Sequence, residues 1–344
     1  MKNNSLKTEW AIHLSFADFY VFLFIISFKP QYIIGIDCGA TSSEAVASPD
    51  FISPTKKELR EIIRRNVNFR FTGNIPKKYP PVNFNLLGFD ESSRRLLKII
   101  KDIALNYGNN ILSLAAGISG ARYEADRKKL ESYIRTRTKI KHVKILPDTE
   151  IALATAFEPN QKNCGILIAG TGSILYYRDS KGQSKQVGGW GRLIGDEGSG
   201  YWIARTALSY VTKYYDKRGR KTLLTELIEE KFSMNSDTII NKIYHNGFAL
   251  SKIARIVFRA AEKGDKISID IIKGAAGELA GHFTGIKNQS FEIALTGSLF
   301  TEEKLLELEL KKIIKSKYPN IKLIKPNYKP VWGAVRIARS QAAA

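Results

Sequence analysis

The stretch YIIGIDCGATSSEAVA, residues 32–47, combines an apolar strand, an Asp-Cys-Gly-Ala-Thr turn and a second, alternating strand. This is the pattern of a β-hairpin with a functional tip. The stretch GILIAGTGSILYY, residues 165–177, repeats the same order around a Gly-Thr-Gly-Ser turn. The two copies begin about 130 residues apart, and each has a threonine at its turn, Thr41 and Thr171. The repeat indicates an internal duplication.

Strand and helix patterns alternate along the rest of the chain. Residues 92–105 predict an amphipathic helix, and the pattern from residue 201 onward is mainly helical. Short apolar runs predict buried strands at 111–116, 145–146 and 291–300. A helix, a strand and a closing helix follow the last of them. Such alternation predicts an α/β fold with largely parallel sheets.

Composition narrows the class of protein. A chain of 344 residues with 44% hydrophobic content predicts two folded domains. Its only cysteines, Cys38 and Cys164, form neither a disulfide framework nor a cluster-ligand set, which favours a reducing cytoplasm. The four histidines show no metal-binding spacing. Although the net charge is +21, lysines are spread over predicted helix faces, so no nucleic-acid partner is expected.

Two segments depart from this regular pattern. Residues 11–28 form an almost unbroken apolar run, but a membrane anchor would place Asp18 in mid-span at a cost of about 2.5–3.5 kcal/mol. We therefore interpret residues 1–30 as a docked or disordered extension, or as the product of a mis-called start, with an anchor as the alternative. Residues 49–80 form an irregular, proline-rich insert around a basic, helix-like segment at 56–65.

The run VGGWGRLIGDEGSGYW, residues 187–202, has six glycines around an Asp-Glu pair and two tryptophans. Glycines such as Gly189 and Gly191 permit backbone conformations with positive φ or close approach to a ligand. Trp190 offers a flat apolar wall, and Asp196 offers a hydrogen-bond acceptor. A sugar ring needs this combination, whereas ordinary turns use one or two glycines and no tryptophan. The run therefore predicts a sugar-binding loop.

The two hairpin turns predict a nucleotide site. Backbone amides of glycine-rich turns form anion-binding nests, so the turns can hold a polyphosphate from opposite sides. The residues concerned are Asp37, Gly39, Thr41, Gly170, Thr171 and Gly172. Asp37 also stands where a carboxylate can hold Mg²⁺ against the phosphates. Taken alone, the first turn has the alternative reading of an ordinary Asp-x-Gly turn.

These motifs resemble those of N-acetylglucosamine kinases and their relatives in the BadF/BadG/BcrA/BcrD ATPase family. The resemblance covers nearly all of residues 32–338, although Cys38 and Ala40 replace the glycines usual in the first phosphate motif. It implies a duplicated, actin-like ATPase fold of the ribonuclease H-like type, with two lobes around a nucleotide cleft. The implied lobes are residues 31–158 and 159–330, with the helix at 331–341 packing back on the first.

The resemblance also implies roles for individual residues. Asp148, in LPDTEIALATAF, matches the catalytic base, with a helix N-cap as the alternative reading. Gly297 and Ser298, in ALTGS, match the adenosine side of the nucleotide site. Asn83 matches the sugar-binding asparagine, with Asn85 as the alternative. The full set matched to the sugar is Asn83, Ser119, Ser173, Gly189, Trp190, Gly191 and Asp196.

The implied activity is transfer of phosphate from ATP, with Mg²⁺, to the 6-hydroxyl of an amino sugar such as N-acetylglucosamine. Asp148 would accept the hydroxyl proton, and closure of the lobes would exclude water. Two alternatives stay open, an ATPase that activates CoA-thioester reductases through bridging cysteines, and a non-catalytic sugar sensor. A homodimer is compatible with the family.

Overall fold

The computed structural model describes residues 31–39, 42–50, 76–107, 110–158, 160–326 and 328–342. The N-terminal extension 1–30, Thr41 and the helix-like segment 56–65 lie outside the described residues. The described residues form two five-stranded mixed sheets, each with helices on both faces.

The first sheet has the strand order β3-β2-β1-β4-β5. Its strands are β1 (Gln31–Cys38), β2 (Ser43–Asp50), β3 (Lys77–Tyr79), β4 (Ile111–Ile118) and β5 (His142–Pro147). The β1–β2 hairpin is antiparallel, whereas β1, β4 and β5 run parallel. The helices of this half are α1 (Phe84–Tyr107), α2 (Glu124–Arg137) and α3 (Asp148–Leu153).

The second sheet repeats this topology, with the order β10-β9-β6-β7-β8. Its strands are β6 (Cys164–Ala169), β7 (Ser173–Arg178), β8 (Ser184–Gly188), β9 (Phe291–Thr296) and β10 (Ile321–Ile324). Again an antiparallel hairpin leads the sheet and parallel strands follow it. The predicted duplication and the two-lobed α/β class are therefore confirmed.

Most of the helices follow the second hairpin. They are α4 (Gly200–Tyr215), α5 (Leu223–Phe232), α6 (Ile239–Tyr244), α7 (Ala254–Glu262), α8 (Lys266–Gly281), α9 (Ser298–Thr301), α10 (Lys304–Lys317) and α11 (Pro330–Ala342). None of the helices in the described part of the chain is both long and apolar enough to cross a membrane, and residues 11–28 lie outside that part.

Successive side chains of β1 point to opposite faces of the first sheet, and both faces are buried. Ile34 and Ile36 belong to the core formed with α1 and α2, whereas Ile33 packs on the other face. That other face is covered by α3 and by α11, although α11 comes from the end of the chain. Leu153, the last residue of α3, and Phe157 beyond it pack against the second sheet. Helix α3 therefore lies between the two sheets.

The predicted elements differ from the structure mainly at their ends. Helix α1 begins eight residues before the predicted residue 92, because Gly88, at φ 68°, kinks it and interrupts the helical periodicity. The strand predicted within 291–300 ends at Thr296, and Ser298 already begins a helix.

Candidate active site

The carboxyl edge of the first sheet brings together three of the predicted site residues. Asp37 pairs with Gly117 of β4, and Gly117 pairs with Leu146 of β5. Asp37, Ser119 and Asp148 therefore lie at or just beyond the ends of neighbouring parallel strands. The backbone N–H of Ser119 donates to the carbonyl of Cys38 at 2.9 Å, which joins two of these ends.

The pKa of one carboxylate at this edge depends on the charge of a second. Burial, followed by the negative charges of Asp148 and Glu44, raises the pKa of Asp37 to about 7. Burial also raises the pKa of Asp148, against hydrogen bonds from the Ser119 hydroxyl and the Thr149 N–H. Removing a carboxylate from water disfavours its charged form, and a second carboxylate adds repulsion. This edge is therefore poised to receive a proton or a cation.

The position of Asp148 depends on close packing of α3. Asp148 is the first residue of this helix, and its Oδ1 accepts the Thr149 N–H at 3.0 Å. The N-cap position belongs to Pro147, so the alternative reading of Asp148 as the N-cap is not the geometry observed. A Cβ on Gly117 would lie 2.5 Å from the Ile151 side chain, and a Cβ on Gly333 would lie 1.9 Å from the Ile151 carbonyl. These glycines let α3 lie against both β4 and α11.

Asn83 lies beside Ser119, as the resemblance implies. The two residues form an isolated parallel bridge, and Asn83 Nδ2 donates to Ser119 Oγ at 3.4 Å. Asn83 is buried, and its Oδ1 accepts the backbone N–H groups of Asn85 and Leu86 at 2.9 and 3.2 Å. Its carbonyl oxygen therefore caps α1, and its amide group faces the Ser119 turn. The alternative, Asn85, is exposed and packs against Gly120 of the same turn.

The turn of the second hairpin opens onto a cavity of about 480 Å³. Gly170 and Thr171 line this cavity together with Ser298 from the next strand end. A Cβ on Gly297 would lie 2.2 Å from the Ala169 carbonyl, so glycine allows the two strand ends to touch. The N–H of Gly200, the first residue of α4, donates to the Gly170 carbonyl at 2.8 Å. The predicted phosphate turn and the predicted adenosine side thus meet in one cavity.

Four basic side chains line the same cavity, and sequence reasoning missed all of them. They are Lys231, Lys252, Arg255 and Arg259. Arg255 pairs with Glu302 at 2.6 Å, and Glu303 is the other acidic residue of the lining. The cavity therefore has a basic excess that suits a polyphosphate. Two of the four basic side chains, Arg255 and Arg259, are spaced i, i+4 in the sequence and therefore share one helix face. This spacing did not stand out because basic residues are numerous along the whole chain.

The first hairpin turn is described only in part. The Gly39 N–H donates to the Ser42 carbonyl at 3.0 Å and closes the turn. Thr41 lies outside the described residues, so its predicted role stays a prediction. Among those residues no group of three or more histidine, cysteine, aspartate or glutamate side chains could hold a metal ion. Asp37 nevertheless fits Mg²⁺, which takes one or two carboxylates and leaves its other positions to phosphate and water.

The glycine-rich loop, residues 187–202, lies beside the second hairpin. The Gly189 N–H donates to the Ser173 carbonyl at 3.0 Å, and Gly189 and Gly191 adopt positive φ values of 70° and 88°. Trp190 between them is 62% exposed. The guanidinium of Arg122, from the first lobe, lies 5.0 Å from the centre of a Trp190 ring. The loop therefore presents a largely exposed aromatic side chain that contacts the first lobe.

Asp196 and Ser173 hold this loop to the phosphate turn. Asp196 is buried at φ 59°, and its Oδ1 accepts the Ser173 N–H at 3.4 Å. Burial raises the pKa of Asp196, partly offset by that hydrogen bond. The Ser173 hydroxyl donates to the Glu197 carbonyl at 2.7 Å, and Ser173 is 2% exposed. Because the Ser173 hydroxyl already donates its proton to the Glu197 carbonyl, the structure favours a role for Ser173 in stabilising the loop over the predicted contact with the sugar.

Both cysteines are fully buried, and neither is in a disulfide. Cys38 ends β1, and Cys164 begins β6, where its Sγ donates to the Gln161 carbonyl at 3.2 Å. Burial raises the pKa of both thiols. A cluster shared between subunits needs accessible thiolates, so these positions do not suit that chemistry.

Comparison with known proteins agrees with this arrangement. The chain is 33% identical over 328 residues to an N-acetylmuramic acid/N-acetylglucosamine kinase of Clostridium acetobutylicum. The alignment covers 90% of this chain and 99% of the relative. It is 26% identical over 324 residues to an N-acetyl-D-glucosamine kinase of Dictyostelium discoideum, covering 90% and 98%.

A solved structure shares the fold. A protein of Chromobacterium violaceum, provisionally named an N-acetylglucosamine kinase, superposes with a TM-score of 0.67 at 18% identity and covers 90% of this chain and 99% of its own. The model of the BadF/BadG/BcrA/BcrD ATPase family matches residues 34–338, which include every predicted site residue and all of both sheets except residues 31–33. The chain therefore belongs to the BadF/BadG/BcrA/BcrD ATPase family.

Proposed function

We propose that this sugar kinase transfers the γ-phosphoryl group of ATP to the 6-hydroxyl of an amino sugar, N-acetylglucosamine. One observation carries the proposal. Asp148, a carboxylate with a raised pKa, stands at the strand ends of one lobe beside Ser119 and Asn83, and the other lobe holds a basic cavity at a glycine-rich turn. A proton acceptor and a polyphosphate site in facing lobes are the two requirements of phosphoryl transfer to a hydroxyl.

Asp148 would orient the sugar hydroxyl and accept its proton as phosphate is transferred. A raised pKa suits this task, because a general base works best when its pKa lies near the operating pH. Its position is stable because α3 is packed between β4 and α11. The Ser119 hydroxyl, which donates to Asp148, would hold the carboxylate in place while the sugar binds.

The nucleotide would lie in the 480 Å³ cavity, with its phosphates against the Gly170–Gly172 turn. This turn lies against the N-terminus of α4, and a glycine-rich turn in that position favours a negatively charged ligand. The four basic side chains of the lining would add to that attraction. Asp37 would hold Mg²⁺, which neutralises phosphate charge when bound. The pKa of Asp37 is raised by burial and then by repulsion from Asp148 and Glu44, and the same ion would relieve that repulsion.

The sugar would lie between Trp190 and the turn that contains Ser119. The aromatic face of Trp190 suits the apolar face of a pyranose ring, and the Asn83 amide can donate to a ring hydroxyl. The choice of N-acetylglucosamine rests on the names of the two curated relatives. Of the alternatives, the reductase activase needs bridging cysteines, and the buried positions of Cys38 and Cys164 weigh against it. The cytoplasmic location and the homodimer stay predictions.

The test is a coupled ADP-release assay with the full chain, ATP, Mg²⁺ and a panel of amino sugars that includes 6-deoxy-N-acetylglucosamine. We expect sugar-dependent ADP release with N-acetylglucosamine and none with the 6-deoxy analogue. ADP release with the 6-deoxy sugar would contradict the 6-hydroxyl as acceptor. Sugar binding by calorimetry without any ADP release would favour the sugar sensor, and ADP release independent of sugar would favour an ATPase.

A further inference from the structure

Helix α3 carries a second carboxylate, which points away from the proposed base. Glu150 follows Asp148 by two residues, and side chains two residues apart on a helix do not share a face. Whereas Asp148 lies at the edge of the first sheet, Glu150 contacts β7 of the second sheet. Its Oε1 accepts a hydrogen bond from Arg178 Nη2 at 3.1 Å, and its Oε2 accepts one from the Tyr176 hydroxyl. A single turn of helix therefore joins the proposed base to the other lobe.

This contact between α3 and β7 is largely buried. The side chain of Arg178 is 8% exposed and that of Glu150 is 20% exposed. Arg178 Nη1 also donates to the carbonyls of Glu158 and Gln161, at 3.1 and 3.2 Å, where the chain passes from the first lobe to the second. Burial, followed by the charge of Glu150, raises the pKa of Tyr176, so its hydroxyl keeps the proton that it donates. Removing the carboxylate would leave the buried guanidinium without its opposite charge, which is strongly unfavourable.

Strand β7 connects this contact to the proposed phosphate turn. The strand begins at Ser173, directly after the Gly170–Gly172 turn, and Tyr176 lies three residues further along. Glu150 is therefore linked to the phosphate turn through a few residues of β7 and to Asp148 through one residue of α3. Alignment of a base with the group that is transferred must be close, because a displacement of about 1 Å can cost about 100-fold in rate.

We propose that Glu150 is a positioning residue, which holds Asp148 in line with the phosphate turn by anchoring α3 to Tyr176 and Arg178. This inference rests on the proposed function, in which Asp148 is the base. Glu150 acts through Asp148 and not on a substrate, since its carboxylate is bound to β7. A network that only stabilises the fold would lower stability without a specific effect on phosphoryl transfer.

The experiment measures kcat and KM with ATP and N-acetylglucosamine for the full-length wild type, Glu150→Gln and Tyr176→Phe. We expect both variants to lower kcat about 10- to 100-fold, because the base is displaced. KM for ATP and for the sugar should change less than about threefold, since the groups proposed to bind them are unchanged. Tyr176→Phe removes one hydroxyl and leaves the ion pair, so it supplies the test if Glu150→Gln does not fold.

Double variants show whether the network acts through Asp148. In the Asp148→Asn background the base is already absent, so adding Glu150→Gln or Tyr176→Phe should lower kcat by less than about threefold. A merely structural defect would lower kcat by the same factor in both backgrounds. Equal factors would therefore overturn the inference.

The matched control is Glu307→Gln. Glu307 is also a buried glutamate with cationic partners, Lys311 at 2.7 Å and Lys325 at 3.2 Å, but it lies on α10 and does not line the 480 Å³ cavity. Its variant should melt at a lower temperature and keep the kcat of the wild type. An equal fall in kcat for Glu307→Gln, or a kcat near that of wild type in both network variants, would overturn the inference and leave the proposed function standing.

If the wild type transfers no phosphate to the sugar, the proposed function fails, and hydrogen exchange then decides separately whether Glu150 anchors α3. Backbone amides of residues 148–157 should exchange faster in Glu150→Gln and Tyr176→Phe than in the wild type, and at the wild-type rate in Glu307→Gln. Equal exchange in the wild type and both network variants would overturn the inference.

Discussion

Neutralising Asp37 should stabilise the protein without its ligands while it abolishes phosphoryl transfer. The pKa of this carboxyl is raised from 3.8 to about 7 by burial, by Asp148 and by Glu44. A group whose folded pKa lies above its unfolded pKa binds its proton more tightly in the folded state. The contribution of this carboxyl to stability is therefore fully present below pH ~4 and is lost as the pH rises toward 7.

The size of the effect follows from that pKa. One pKa unit corresponds to about 1.4 kcal/mol. A rise in the pKa of Asp37 from 3.8 to about 7 therefore lowers the free energy of unfolding above pH 7 by at most roughly 4 kcal/mol. The variant Asp37→Asn removes the charge and keeps the shape. It should therefore unfold at a higher temperature than the wild type at pH 8.5, and the difference should vanish near pH 4.

The assay is thermal unfolding of wild type and Asp37→Asn between pH 4.5 and 8.5, without nucleotide or Mg²⁺. Asp102→Asn is the matched control of opposite sign, because hydrogen bonds from Lys77 and Tyr79 lower the pKa of Asp102. Its neutralisation should destabilise the protein at neutral pH, and this loss should shrink as the pH falls. A melting temperature of Asp37→Asn that equals the wild type at pH 8.5, or a difference that does not change with pH, would refute the reasoning.

Three further predictions follow from the site and its supports. Asp148→Asn should lower kcat about 10²–10⁴-fold, as for loss of a general base, and calorimetry should show nearly unchanged nucleotide affinity; a kcat within threefold of wild type would exclude Asp148 as the base. Gly333→Ala should destabilise the protein by about 1–3 kcal/mol in urea unfolding, because its Cβ would lie 1.9 Å from the Ile151 carbonyl. Gly277→Ala, a helical glycine with no atom within 4 Å of its Cβ, should leave stability equal or higher, and equal losses in both variants would contradict the packing argument. Sugar should change the intrinsic fluorescence of the wild type, and Trp190→Phe should remove that change; a full response in the variant would assign the sugar to another surface.

Much of the fold could be predicted from the sequence because its signals are local. The apolar strands and glycine turns around residues 32–47 and 165–177 are contiguous patterns, and both hairpins form where those patterns predict them. The edge that collects Asp37, Ser119 and Asp148 follows from the same patterns, since parallel strands end at one side of a sheet. The start of α1 was missed because the kink at Gly88 breaks the helical period.

The rest of the site depends on contacts between distant segments. Lys231 lines the 480 Å³ cavity only because α5 folds toward the second hairpin turn. The meeting of Arg122 with Trp190 requires both lobes to be in place, and no spacing in the sequence predicts it. Ser173 has the residue type of a sugar ligand, but its hydrogen bond to the Glu197 carbonyl is visible only in the folded loop.

The central claim is that this cleft transfers phosphate from ATP to an amino sugar. Phosphorus-31 NMR of a reaction containing the full chain, ATP, Mg²⁺ and N-acetylglucosamine tests it most directly. We predict a new phosphomonoester resonance coupled to the two protons on carbon 6, which appears as ADP accumulates and is absent with Asp148→Asn. Release of inorganic phosphate alone, with no sugar phosphate, would contradict the account.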